Sequence, residues 1–356
     1  VNGALFRGKV DFTGTRFAHP VSFRGSKFFG KVIFDAAQFE GKADFASTEF
    51  HEDASFNEEV LFAKHVGFGS SIFYKKASFE KALFQGETYF GYTRFSSDTN
   101  LSYSQFFERT FFDGEEKNRV FSDTKPTLMV SVLFQKPKDT LFRIVNLSRC
   151  SLINTDLSSV ELTDIKWSVN QRRKVIFDEI SKDSNKNYPL IEKVYRQLKK
   201  NYEDRGSYGE GGDFHYGEME MRRLSHHGIF KYVSLTALYK YLSGYGEKYW
   251  RAFLWLTIFF LGFAGSYLLT GIKTQSENAK VISYSFDFQP RTLLTSSFWE
   301  DFSCSLLHTL EIATFQRDRT FTPFSTFGKF MEVLQTILIS AQVAFTILAI
   351  NRRFKR

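Results

Sequence analysis

Gly30 to Phe50 read GKVIFDAAQFEGKADFASTEF, with Phe34, Phe39, Phe45 and Phe50 at steps of five, six and five. Steps of five or six run from Phe12, Phe17, Phe23 and Phe28 through Phe56, Phe62, Phe68 and Phe73 to Phe79, Phe84, Phe90 and Phe95. A small or β-branched residue usually stands two places before each Phe, as at Val10, Val32, Ala37, Ala43, Ala54, Val60, Ala77 and Ala82. A helix repeats every 3.6 residues and a flat strand every 2, so neither gives this period. A chain that turns a corner every five or six residues does: each Phe and its small neighbour point inward, Gly, Lys, Asp and Ser occupy the corners, and stacked coils bury one continuous core. A Phe-rich β-sandwich is the alternative, but chance spacing does not hold two alternating steps over so many positions.

The repeat resembles the pentapeptide-repeat family in a Phe-rich variant. Its Leu variant follows in NLSRCSLINTDLSSVELTDIKW, residues 146–167, where Leu147, Leu152, Leu157 and Leu162 keep steps of five. The resemblance implies a right-handed, four-sided β-solenoid with roughly 20 to 22 residues per coil, about five coils from Phe12 to Phe112, and a rod of roughly 25 Å at the ~4.8 Å strand spacing. Residues 1–167 are thus read as solenoid, Phe-rich over 4–113 and Leu-rich over 146–167. A solenoid is a scaffold, which predicts support or partner contact here and no catalysis.

The net charge is +8, but charge in the Phe ladder is nearly balanced and the excess Lys and Arg follow it. Some pentapeptide-repeat proteins resemble DNA through a strongly acidic rod; this ladder is not one, so no nucleic-acid mimicry or binding is expected. Cys150 and Cys304 lie in unrelated segments, which predicts free thiols. The sequence starts at Val1 without Met, so a leading segment is expected ahead of it. His226, His227 and His308 have no ligand-spaced partners, and no P-loop, GxSxG, HExxH or dinucleotide fingerprint occurs in context. The expectation is a non-enzymatic chain without cofactor or bound metal.

Two apolar stretches, Trp250 to Ile272 and Phe330 to Ile350, are each long enough to cross a bilayer core of ~30 Å as a helix. Two buried helices of a soluble domain are the alternative. Lys240, Lys248 and Arg251 precede the first stretch, and Arg352, Arg353, Lys355 and Arg356 follow the second. Basic flanks favour the cytoplasm, which predicts both termini there, with Tyr245, Tyr249, Trp250 and Trp255 as an interfacial belt.

Between the stretches lies SSFWEDFSCSLLHTLEIATFQRDRTFTP, residues 296–323. Phe298, Phe302, Leu306 and Leu310 recur every four residues and predict an amphipathic helix of about four turns, with Ser296 or Ser297 as N-cap and Glu300 and Asp301 in the first turn. Too short and polar to cross alone, it reads as a re-entrant helix followed by an irregular segment, TLEIATF, before the second span. Glu311 is the acid in that segment. In an oligomer it forms a carboxylate ring, with Thr309, Thr314, Glu300 and Asp301 as further selectivity candidates; the alternative is a cap or an ion pair with Arg317 or Arg319. Glu332, Gln335, Gln342 and Thr346, with Thr336 and Ser340 beside them, form a polar stripe on the second span that faces either a pore or a neighbouring helix.

This plan resembles the pore module of two-span ion channels, and more closely prokaryotic proteins that join pentapeptide repeats to such a module. Their connecting region is similar to residues 188–223, YPLIEKVYRQLKKNYEDRGSYGEGGDFHYGEMEMRR, followed by YGEKYWRAF at 245–253 and NRRFKR at 351–356. The resemblance implies a homo-oligomeric cation channel, a tetramer first and a pentamer second, in a prokaryotic inner membrane. The potassium-selective TVGYG string is absent and TLEIATF has no glycine, so selectivity of that type is not expected. The alternative function is a membrane-anchored scaffold whose solenoid binds a cytoplasmic partner.

The remaining divisions are a helical connector over 168–245 and a two-span module over 246–356. In the connector, Leu190, Val194, Tyr195, Leu198 and Tyr202 share a face, EDRGSYGEGG is read as a turn and Phe214 to Arg223 as a second helix. Gly244 and Gly246 mark a bend, a candidate gating hinge.

Overall fold

A computed structural model describes residues 2–182, 186–275, 280–284 and 295–354. The chain divides into two compact units, Val1–His227 and Gly228–Arg356. The first is a β-solenoid of about seven turns. Its two-residue strands stack in parallel into four sheets of five, seven, six and seven strands. Phe6 pairs with Phe28 and Phe28 with Phe50, a repeat of 22 residues; Phe50 pairs with Phe73, one residue more. The extra residue falls where Glu58 and Glu59 are both left-handed.

Parallel pairing of identical positions brings Phe over Phe. The rings of Phe23, Phe45, Phe68, Phe90 and Phe112 stack with centroids 5.2, 5.0, 5.0 and 4.9 Å apart. Across a coil they meet edge to face, as at Phe45 and Phe56 (5.6 Å, 88°). Both arrangements suit the aromatic quadrupole. From the second coil on, most of the small residues two places earlier are buried; Thr48 Oγ1 donates to Phe23 O (2.9 Å) and Thr93 Oγ1 to Phe68 O (2.7 Å), whereas Ser71 Oγ is buried without a hydrogen-bond partner among the described residues.

Coils approach each other so closely that some corners exclude a Cβ. One built on Gly86 would lie 2.2 Å from Lys64 C and 2.4 Å from Lys64 O, both backbone. Gly86→Ala should therefore destabilise the solenoid by about 2–3 kcal/mol, because backbone cannot move aside as a side chain can. Chemical denaturation of the variant checks this, with Gly8→Ala, whose Cβ meets nothing within 4 Å, as control.

The ladder does not stop at Phe112. After a loop, Phe95 N donates to Val120 O and Phe121 stacks on Phe95 at 5.5 Å, so Phe121 fills the next rung out of step with the repeat. The Leu-rich coils follow, with Leu147, Leu152, Leu157 and Leu162 buried.

Eight helices are described: α1 (Phe177–Ile180), α2 (Tyr188–Asp204), α3 (Tyr208–Ser225), α4 (Phe230–Val233), α5 (Leu235–Ser243), α6 (Tyr249–Thr270), α7 (Ser296–Ala313) and α8 (Thr326–Phe354). The pair α2–α3 belongs to the first unit and closes the solenoid. Asn201 Nδ2 donates to Leu157 O and Val160 O (2.6 and 2.7 Å), and Arg205 Nη2 to Val160 O (2.8 Å), satisfying carbonyls that a further coil would otherwise take. Trp167 Nε1 donates to Tyr202 Oη (2.9 Å) and its ring meets Phe214 edge-on. The expected EDRGSYGEGG turn shrinks to Arg205–Ser207, and Gly209, Gly211 and Gly212 are helical. Small residues are needed on this face: Gly217 lies so close to the Tyr195 ring that a Cβ would be 2.6 Å from it. Ile191 is buried in the face where Leu190 was expected, and Leu190 is half-buried.

In the second unit α6 and α8 are long and apolar enough to cross a membrane, and only 28 % of the apolar window of each is buried. A helix of a soluble core would hide most of its apolar surface. Short antiparallel strands, Ile272–Thr274, Val281–Ile282 and Phe321–Pro323, tie the end of α6 to the segment leading into α8. Of the basic cluster after α8, Lys355 and Arg356 lie outside the described residues.

Candidate functional site at the junction of α6, α7 and α8

α7 packs against the last two turns of α6 and the first part of α8, and polar groups make the joint. Ser305 Oγ donates to Ala264 O (2.5 Å), a carbonyl of α6. Gln335 on α8 bridges the other two helices: its Nε2 donates to Thr309 O (2.8 Å) and its Oε1 accepts from Tyr267 Oη (2.7 Å). The His308 ring meets Tyr267 edge-on at 4.7 Å, with Nε2 3.4 Å from Glu332 Oε1. Glu332 also accepts from Arg319 Nη1 (3.0 Å). In apolar surroundings such bonds hold helices at about 1 kcal/mol each and fix their register.

α7 starts at Ser296, with Thr295 as N-cap, so Glu300 and Asp301 lie beyond the first turn. It then runs through Thr309–Ala313, which the sequence suggested as irregular. The irregular segment begins at Thr314, and Thr314, Phe315, Gln316, Arg317 and Asp318 are all exposed.

Glu311 is consequently on the helix and buried, 3 % exposed. Its Oε1 accepts from the backbone N of Thr320 (3.0 Å), fastening the exposed segment to α7, while Oε2 is buried without a hydrogen-bond partner among the described residues. Arg319 pairs with Glu332 instead of Glu311. Thr309 is fully buried; Thr314 Oγ1 donates to Leu310 O (2.8 Å) at the helix end. Glu300 is exposed, and Asp301 accepts from Tyr284 Oη (2.7 Å) and Lys280 Nζ (3.2 Å). Both acids sit toward the opposite end of α7 from Glu311.

The polar stripe of α8 is largely consumed within one chain. Gln335 is fully buried and bonded on both sides; Gln342 is 1 % exposed and donates to Ala252 O (2.7 Å); Thr346 donates to Gln342 O (2.8 Å). Gln335 and Gln342 thus bond across to neighbouring helices, with Gln342 Oε1 left buried without a partner among the described residues, whereas the bond of Thr346 stays within α8. Glu332 is half-buried and Ser340 exposed. Thr309, Glu311, Glu332 and Gln335 thus come together, whereas Gln342 and Thr346 lie two to three turns away. Tyr267, Ser305, His308 and Arg319 belong to the knot although nothing in the sequence distinguished Tyr267 among the aromatics of α6.

Gly244 and Gly246 form a packed corner. Gly244 (φ +58°) ends α5, Tyr245 (φ +59°) is fully buried, and Gly246 (φ +78°) follows. A Cβ on Gly246 would lie 2.6 Å from Tyr239 Oη and 3.2 Å from Arg352 Cδ. Gly246→Ala should cost about 2 kcal/mol through left-handed strain and this collision, and Gly244→Ala about half that, since only the flexible Lys248 side chain is in its way. Thermal unfolding in detergent checks both.

Among the described residues, no group of three or more His, Cys, Asp or Glu could hold a metal ion. Residues 2–48 and 12–60 match the family model for pentapeptide repeats (9 copies). No curated protein and no solved structure gave a match.

Proposed function

We propose that the chain is one subunit of a homo-oligomeric cation channel, tetrameric in the first instance, whose solenoid supports or gates the pore from the cytoplasm of a prokaryotic cell. The observation that carries this reading is the handover from α7 to the exposed, polar, non-helical stretch Thr314–Asp318, lying between two helices with exposed apolar surfaces. Within a bilayer, backbone without helical bonds needs protein cover or a watery cavity, and copies around an axis supply that cavity. In this reading Thr314–Thr320 lines the constriction and Glu311 anchors it from behind.

The competing reading is a membrane-anchored scaffold. It is favoured by Gln335 and Gln342, whose bonds within one chain remove the need for a water path along α8. Reconstitution separates the two. Purified protein in liposomes should pass monovalent cations down a gradient and run in detergent at the mass of an oligomer. A monomer that gives no flux across a range of salts and voltages overturns the channel and leaves the scaffold.

A further inference from the structure

We propose that α4 and α5 form a membrane-surface element whose outward face lies among phospholipid headgroups and upper acyl chains. Residues 229–241 expose Phe230, Tyr232, Val233, Leu235, Leu238 and Tyr241; Leu235 is 84 % exposed and Val233 64 %. A soluble surface rarely gathers so many large apolar side chains in so short a stretch. Their arrangement is amphipathic. On α5, Leu235, Leu238 and Tyr241 recur every three residues on the outside, while Ala237 and Ser243 are buried on the inside.

The inner face fixes where this surface lies. Tyr239 stacks on Phe345 of α8 at 5.5 Å and meets Tyr245 edge-on at 5.8 Å. Arg352, near the end of α8, reaches Glu247 (3.3 Å) in the corner between α5 and α6. So α5 is held at the end of the bundle where α6 begins and α8 finishes, beside the exposed Tyr249, Trp250 and Phe253. Its nine residues, about 13 Å of helix, cannot cross a bilayer core. An apolar face continuous with that of α6, interspersed with Lys231, Lys240 and Lys248, fits the boundary between headgroups and acyl chains. A lipid surface is therefore the occupant.

The inference requires α6 to sit in a bilayer but not that the protein conducts. The test uses the full chain with Cys150→Ala and Cys304→Ser, one added cysteine carrying an environment-sensitive fluorophore, reconstituted in phosphatidylcholine and phosphatidylglycerol vesicles. Labels at Leu235→Cys and, separately, Phe230→Cys should be quenched at least about threefold more by a nitroxide high on the lipid chain than a label at Leu128→Cys on the solenoid. Quenching by aqueous iodide instead, or protection from both quenchers because a second copy or another part of the chain covers the face, overturns the proposal. A label at Leu261→Cys, on the exposed face of α6, serves as the membrane reference. If it too escapes the lipid quencher, it is the placement of α6 that fails.

Discussion

Phe68→Ala should destabilise the solenoid by about 3–5 kcal/mol, the largest effect expected of any single truncation in the ladder. Phe68 is fully buried, stacks on Phe45 and Phe90 at 5.0 Å each, and meets Phe56 and Phe79 edge-on at 5.6 and 5.4 Å. Removing the ring leaves a void that neighbours cannot refill, because parallel strand pairs at a fixed spacing prevent the coils above and below from moving together. Phe29→Ala is the matched control. Phe29 is 44 % exposed and rests on His51 at 4.7 Å outside the core, so its loss should stay within about 0.5 kcal/mol. Urea denaturation followed by far-UV dichroism reads both. Equal losses would mean that the ladder is not the source of the solenoid's stability.

At Glu311 the two conservative choices separate two roles. Glu311→Gln keeps an oxygen that can accept from Thr320 N, so assembly and cation flux should persist with an unchanged reversal potential in asymmetric salt. Glu311→Leu leaves that amide without its partner at a cost of about 1–3 kcal/mol, loosens Thr314–Thr320, and should lower flux at least about tenfold. Gel filtration in detergent confirms that each variant still assembles. A shifted reversal potential in Glu311→Gln would show that the carboxylate faces the permeation path itself, as a ring of charge would. Flux and stability unchanged in Glu311→Leu would remove the anchor role.

The contrast between these sites follows from how far apart the interacting residues lie. Every rung of the solenoid repeats its own neighbours, so Phe34, Phe39, Phe45 and Phe50 carry the information for their own burial, and a few turns of sequence suffice to read the coil. Where the period is interrupted, spacing alone no longer marks the next rung: Phe121 continues the ladder because the loop before it brings Val120 to Phe95. The α2–α3 pair shows the same limit. Its apolar face was legible from the spacing of Val194, Leu198 and Tyr202, but Asn201 and Arg205, which close the last coil, look like ordinary surface residues until their partners at 157–162 are in place.

In the second unit, length and apolarity alone mark α6 and α8, since a helix that satisfies its own backbone needs only enough apolar residues to be recognised. What a polar residue on such a helix faces is a different matter. Gln335 and Gln342 read equally well as lining a pore or binding a neighbour, and their hydrogen-bond partners within the chain, Tyr267, Thr309 and Ala252, are residues far away in sequence. Glu311 stood out as a lone acid, yet its partner is a backbone amide that no side-chain pattern announces. The sequence by itself determined the solenoid and the two long apolar helices, because both arise from periodicity and composition repeated along the chain. Tertiary structure decided which polar groups meet, because hydrogen bonds depend on ångström-scale proximity between distant segments, and that proximity is created only when the helices pack.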